Sequence, residues 1–236
     1  MGAPEGKKPR IPFWVPITMG VLGGGALVGL VVARLFFFVP FKQPSGSMYP
    51  TLIAGEHLLV SAIDKTPKRG SVLVFRYPEH REQHLCKRVI GLAGEVVEVK
   101  SGRVYVNGWE VPRCFVGKHA YDDVEGQHHE GELFLEHLGD ATYLVFEEKG
   151  ALFSDVQGPY RAAPDEYFVL GDNRNNSHDS RMWFGGQGGG VPNGDTIGRV
   201  RAHDEPKLPP GAESLRPALD ACLAKRPAET NPPASK

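Results

Sequence analysis

Residues 11–41 carry a single charge, Arg34, in an otherwise apolar run. A helix needs about 20 apolar residues to cross a bilayer core, and this run supplies them. It holds Gly20, Gly23, Gly24, Gly25 and Gly29, which a spanning helix tolerates better than a soluble one. Pro16 suits a first turn and Pro40 a stop. A cleaved leader has a shorter apolar core and an A-x-A-like exit, whereas this run ends Val39-Pro40-Phe41-Lys42. The expectation is a single permanent anchor over 11–41, with 1–10 as a cytoplasmic tail. Lys7, Lys8 and Arg10 precede the run and only Arg34 and Lys42 flank its far end, which puts the remainder outside the cytoplasm.

The run leaves enough chain for one domain, expected over 42–206, with a tail over 207–236. Twenty-seven basic residues against 28 acidic ones leave a net charge of −1, so no nucleic-acid footprint is visible. Short apolar or alternating stretches at 57–61, 71–77, 85–90, 96–100, 142–146 and 166–170 read as strands between Gly and Pro clusters. Asn107-Gly108 between two such stretches predicts a hairpin with a type I′ turn. The fold class expected is mainly β, an antiparallel, barrel-like domain behind one N-terminal transmembrane helix.

Residues 113–163 are more polar and read as an insertion beside the core. Its histidines, His119, His128, His129 and His137, match no metal-ligand spacing and are expected in a solvated loop. The tail is rich in Pro, Ala and Lys and is expected to be mobile, with Leu215, Leu219 and Leu223 able to line one short helix. An exported location permits a Cys86–Cys114 bond; unpaired thiols at Cys86, Cys114 and Cys222 are the simpler alternative.

Pro44-Ser45-Gly46-Ser47-Met48 follows the apolar run directly. A small, Gly-containing loop presents a hydroxyl with little steric cover, but a serine needs a base to become a nucleophile. No histidine here sits in a triad motif. A lysine serves if burial keeps it neutral. Lys87 lies in Leu85-Cys86-Lys87-Arg88-Val89-Ile90, where alternation groups it with Leu85 and Val89. The alternative for a lone strand lysine is an edge position that blocks unwanted pairing. The stretch 171–181, Gly-Asp-Asn-Arg-Asn-Asn-Ser-His-Asp-Ser-Arg, is a polar loop after an apolar strand, where functional residues collect.

Together these segments resemble bacterial type I signal peptidases, membrane-anchored Ser/Lys proteases of the S26 family. The stretches 44–52, 69–78, 87–95, 171–181 and 191–199 follow the family's boxes in order and spacing. Gln43 and Cys86 stand where the family more often has aliphatic residues, Asn175 where an acid is common, and Ala93-Gly94-Glu95 in place of Pro-Gly-Asp. The resemblance implies a LexA-type fold and an endopeptidase that removes signal peptides from exported preproteins after a small-x-small motif. It makes Ser47 the nucleophile and Lys87 the general base. Ser177 would orient the lysine amine, the Ser45 hydroxyl and the Ser47 N–H would form the oxyanion hole, and Asp179 with Arg181 would hold the Ser177 loop. Gln43, Pro44, Met48, Leu52, Leu85 and Cys86 would contact substrate. The implied partners are preprotein signal peptides and membrane lipids, the chain is expected to be a monomer, and no cofactor or metal is implied. The implied location is the outer face of the cytoplasmic membrane. A peptidase dedicated to one secretion system and a non-enzymatic tethered β domain are the competing readings.

Overall fold

A computed structural model describes Gly29 and residues 38–150, 156–201 and 205–233. The chain divides into two units, residues 1–38 and 39–236, of which the second carries the sheets. The run expected to cross a membrane lies mostly outside the described residues. Its last part, within β1 (Phe38–Lys42), is a strand. Among the described residues no helix is long and apolar enough to span a bilayer.

Among the described residues three sheets form the domain. The first has the order β1-β2-β14-β3-β4-β12-β13, with β2 His57–Ser61, β3 Val72–Arg76, β4 His84–Gly91, β12 Glu166–Leu170, β13 Val191–Pro192 and β14 Thr196–Arg201. The second, β11-β5-β6-β7, joins β5 (Val96–Lys100), β6 (Arg103–Val106), β7 (Trp109–Glu110) and β11 (Val156–Arg161). The third, β10-β9-β8, is built from β8 (Arg113–Asp122), β9 (His128–Leu138) and β10 (Ala141–Glu148). The expected barrel is not formed, because none of the three sheets closes on itself. The first sheet ends at β13, a two-residue strand finished by Pro192, which has no N–H to extend a ladder. Apolar side chains from all three sheets share one buried cluster instead.

The Asn107-Gly108 turn has positive φ at both residues, 53° and 78°, as a type I′ hairpin requires. It sets Val106 opposite Trp109. The insertion expected beside the core carries the long strands β8 and β9, so His119, His128, His129 and His137, expected in a solvated loop, lie on strands. Glu136 is buried against Arg174 and His129 against the half-buried Glu148 and Asp123, whereas His128 is exposed as expected.

The tail expected to be mobile contains helix α1 (Arg216–Ala224), whose Leu219 and Cys222 are buried. Cys222 is bonded to Cys114 on β8, which ties the helix to the third sheet. The permitted Cys86–Cys114 bond is therefore not the one made, and Cys86 is a buried free thiol. Cys86 on β4 packs with Met48, Leu58 and Val74, whereas Cys114 and Cys222 meet in a different cluster.

Candidate active site

Strand β4 lies inside the first sheet, between β3 and β12. Lys87 is thus not an edge residue, and edge protection does not account for it. It sits opposite Leu73 and is 3% exposed. β12 stops at Leu170, opposite Arg88. The polar loop beginning at Gly171 follows, and its Asp179 and Arg181 act electrostatically on Lys87.

Ser47 lies in a 3₁₀ turn, Gly46–Met48, and is 6% exposed. Its Oγ is 2.5 Å from Lys87 Nζ, the shortest approach either group makes to a polar side chain among the described residues. Burial is the main influence on the lysine and favours its neutral form, so its pKa is lowered. The charges of Asp179, Cys86 and Asp172 oppose that shift and Arg181 assists it. The same burial pushes the Cys86 thiol up to about 12.

The Ser45 hydroxyl donates to Ser47 Oγ at 3.1 Å. Asp179 accepts from the Gly171 N–H at 2.9 Å and from Arg181 Nε at 2.8 Å. Burial alone would raise the Asp179 pKa, but the Arg181 charge and these bonds, with Lys87, hold it below the usual carboxylate range. Arg181 also donates to the Arg174 carbonyl at 2.7 Å, closing the loop on itself.

Ser177 departs from expectation. Its Oγ is buried with no hydrogen-bond partner among the described residues, so the expected bond to Lys87 is not made. The hydroxyl is turned toward Gly171. A Cβ at that position would lie 2.1 Å from Ser177 Oγ and 2.5 Å from the Ser47 carbonyl oxygen. Glycine here is what lets the Ser177 loop close on the Ser47 turn.

The residues expected to contact substrate separate by exposure. Pro44 is exposed and Leu85 half-buried. Met48, Leu52 and Cys86 fill one buried cluster with Val60, Val74 and Val200. Gln43 is buried and donates to the Ser45 carbonyl at 2.8 Å, bracing the turn from within. These side chains shape the floor under the loop rather than an open pocket wall.

Several site neighbours were not singled out from the sequence. Arg88 donates to both Asp172 oxygens, at 2.7 and 2.6 Å, and to the Gly70 carbonyl. Asn173 donates from its backbone to the Ser47 carbonyl and from its side chain to the Gly46 carbonyl, both at 3.2 Å. Arg174 pairs with Glu136 of β9 at 2.7 and 2.5 Å. The position of Asp172, Asn173 and Arg174 beside Ser177 in one polar loop is the only local signal for them. Their partners come from distant segments.

Residues 17–203 match the family model described as signal peptidase, peptidase S26. Signal peptidase I of Pseudomonas fluorescens is 37% identical over 170 residues, covering 65% of this chain and 58% of that protein. The Pseudomonas aeruginosa signal peptidase I is 36% identical over the same shares. Signal peptidase I P of Bacillus subtilis subsp. natto is 33% identical over 76% of this chain and 83% of its own length. The chain thus spans less than two thirds of the length of the two Pseudomonas relatives.

Proposed function

The chain belongs to the signal peptidase, peptidase S26, family, and from that premise we propose that it is a serine endopeptidase using a Ser47/Lys87 dyad. Its substrates are the N-terminal signal peptides of exported preproteins, cut after a small-x-small motif at the outer face of the cytoplasmic membrane. It acts as a monomer beside membrane lipids. The observation that carries this reading is the 2.5 Å approach of Lys87 Nζ to Ser47 Oγ inside an interior strand.

In the first step neutral Lys87 takes the Ser47 proton as Oγ attacks the scissile carbonyl carbon. The Ser45 hydroxyl leaves Ser47 Oγ and, with the Ser47 N–H, donates to the oxyanion. The lysine then gives its proton to the departing amine, leaving an acyl-enzyme. Water attacks that ester, Lys87 receives the water proton, and its return to Ser47 Oγ releases the signal peptide. We assign Ser177 to orient the lysine amine, which requires its hydroxyl to rotate away from Gly171. The Asp179–Arg181 pair holds that loop. Pro44 and Leu85 meet the substrate directly, above Gln43, Met48, Leu52 and Cys86.

The whole chain in detergent is mixed with a preprotein whose signal ends in Ala-x-Ala. Cleavage by the unmodified chain, and none by Ser47→Ala or Lys87→Ala, is expected. Undiminished cleavage by Lys87→Ala would sink the dyad.

A further inference from the structure

The third sheet reaches the Ser47 turn through one aromatic side chain. Tyr121, on β8, stacks on Tyr49 with ring centroids 3.7 Å apart and on His129 at 4.9 Å. Tyr49 lies two residues past Ser47, and its own hydroxyl meets His119 Nε2 at 2.6 Å. Two rings of β8, one of β9 and one of the nucleophile turn therefore form a single column. The Tyr121 hydroxyl accepts a hydrogen bond from Asn173 Nδ2 at 3.1 Å, and the same nitrogen donates to the Gly46 carbonyl at 3.2 Å. Both amide hydrogens of Asn173 are thereby used. Rotating the amide by half a turn would set its oxygen against the Gly46 oxygen, so the hydrogen-bond pattern selects one orientation.

The Gly46 carbonyl and the Ser47 N–H belong to one planar peptide unit and point in opposite directions. Holding that carbonyl in place sets the direction of that N–H. Asn173 also holds the next unit, since its backbone N–H donates to the Ser47 carbonyl. Asn173 grips both peptide planes that flank the Ser47 Cα, sharing the Gly46 carbonyl with the Tyr49 N–H at 3.0 Å, and Asn173 is aimed by Tyr121.

We propose that Tyr121 and Asn173 are positioning residues, which aim the Ser47 N–H at the oxyanion through the Gly46–Ser47 peptide. This role rests on the peptidase reading. It gives the insertion a part in catalysis, because Tyr121 belongs to β8. Burial pushes the Tyr121 hydroxyl up to about 12, so it stays a neutral phenol while the enzyme works. The side-chain hydrogen bonds of both residues run to the Ser47 turn and to each other, and that of Lys87 runs to Ser47 Oγ. They therefore act on the rate of the chemical step and not on the protonation of the base.

The test measures cleavage of a small-x-small peptide by the full chain, Tyr121→Phe, Asn173→Ala and the double variant. Tyr121→Phe keeps the ring column and removes only the acceptor. Its kcat is expected to fall about 10-fold, as for a small misplacement of a reacting group. Asn173→Ala is expected to lose about 100-fold, at the low end for an oxyanion donor. KM should stay within about twofold, since the interaction strengthens only in the transition state. The acid limb of the pH–rate profile should not move. The double variant should be no slower than Asn173→Ala, because Tyr121 acts through Asn173. Unchanged kcat in Tyr121→Phe, a loss confined to KM, or a displaced acid limb would overturn the inference while leaving the dyad standing. An inert unmodified chain would overturn the peptidase reading and this inference with it. Should Asn173→Ala fail to fold, Tyr121→Phe alone decides the matter.

Discussion

The first sheet and the third sheet serve the same site by opposite means. The first sheet supplies Lys87 from an interior strand and, at the end of β12, the loop from Gly171 to Arg181. Its contributions are neighbours in sequence to the strands that carry them. The third sheet reaches in with long side chains from afar: Glu136 to Arg174, Tyr121 to Asn173, His119 to Tyr49. On the proposed function, changing Lys87 in the first sheet changes the chemistry. In the third, the same kind of change alters how firmly the chemistry is held.

The largest expected effect lies in the first sheet. Lys87→Ala should cut the cleavage rate by about 10³-fold or more, the scale of a general base together with its oriented proton. The thermal midpoint should fall far less than the rate, because the desolvation cost of the buried amine is removed along with its bond to Ser47. For the intact chain the neutral fraction of Lys87 rises with pH. Activity should therefore climb through the lowered pKa of this lysine and level off below the usual lysine range. The charged groups that face the amine are Asp179, Asp172 and Arg181, with the Cys86 thiol beside them. A rate that is flat from acid to alkaline pH would show that another group is the base.

The next effect belongs to the third sheet and should appear first as stability. Glu136 and Arg174 are both buried, at 1% and 3% exposure. Glu136→Ala leaves the Arg174 guanidinium buried and without its carboxylate, a loss of about 3–5 kcal/mol. Denaturant unfolding at neutral pH measures it. A loss below about 1 kcal/mol would fit a solvent-screened pair and would erase the contrast between the sheets. A smaller loss is expected from Cys114→Ser with Cys222→Ser. Their bond closes a sequence separation of 108 residues, and its removal should cost about 2–4 kcal/mol. The loss should be the same in the Ser47→Ala background, because α1 packs on the third sheet and not on the dyad.

What the sequence disclosed divides along the same line. Val96–Lys100 and Glu166–Leu170 are legible because apolar residues alternate or run together between turn formers. The Asn107-Gly108 turn is legible because few dipeptides take positive φ twice. Ser47 and Lys87 are legible as a pair through the resemblance, their roles being implied by it. In the third sheet β10 is legible from its apolar run at 142–146, but β8 and β9 are hidden by their own chemistry. Arg113, His129 and Glu136 are polar residues at strand positions, and such a polar stretch shows no strand pattern until its partners are known. Arg113 pairs with Glu147 at 2.6 Å and lies over the Phe134 ring at 3.7 Å, which no local pattern reveals. The open edges of the first sheet and the Cys114–Cys222 bond are likewise long-range facts.

The smallest expected effect sharpens the comparison most. His129 is buried on β9 between Glu148 at 2.8 Å and Asp123 at 3.2 Å. Burial favours its neutral form, but the bonds to the two carboxylates and their charges prevail, and its pKa is raised above 6.5. A raised folded-state value means that the protonated form is the one the fold holds. Its contribution is complete below 6.5 and is lost as pH climbs through the raised value. The midpoint of the intact chain should therefore fall by a few degrees at most across that window. His129→Gln should flatten that part of the curve, and a curve unchanged by the substitution would count against the ion triad. Lys87 titrates in the opposite functional sense, since raising the pH frees the base. Alkali should thus activate the first sheet's chemistry while it loosens the third sheet's hold, and the two slopes measured on one chain would separate the regions without any change at the site.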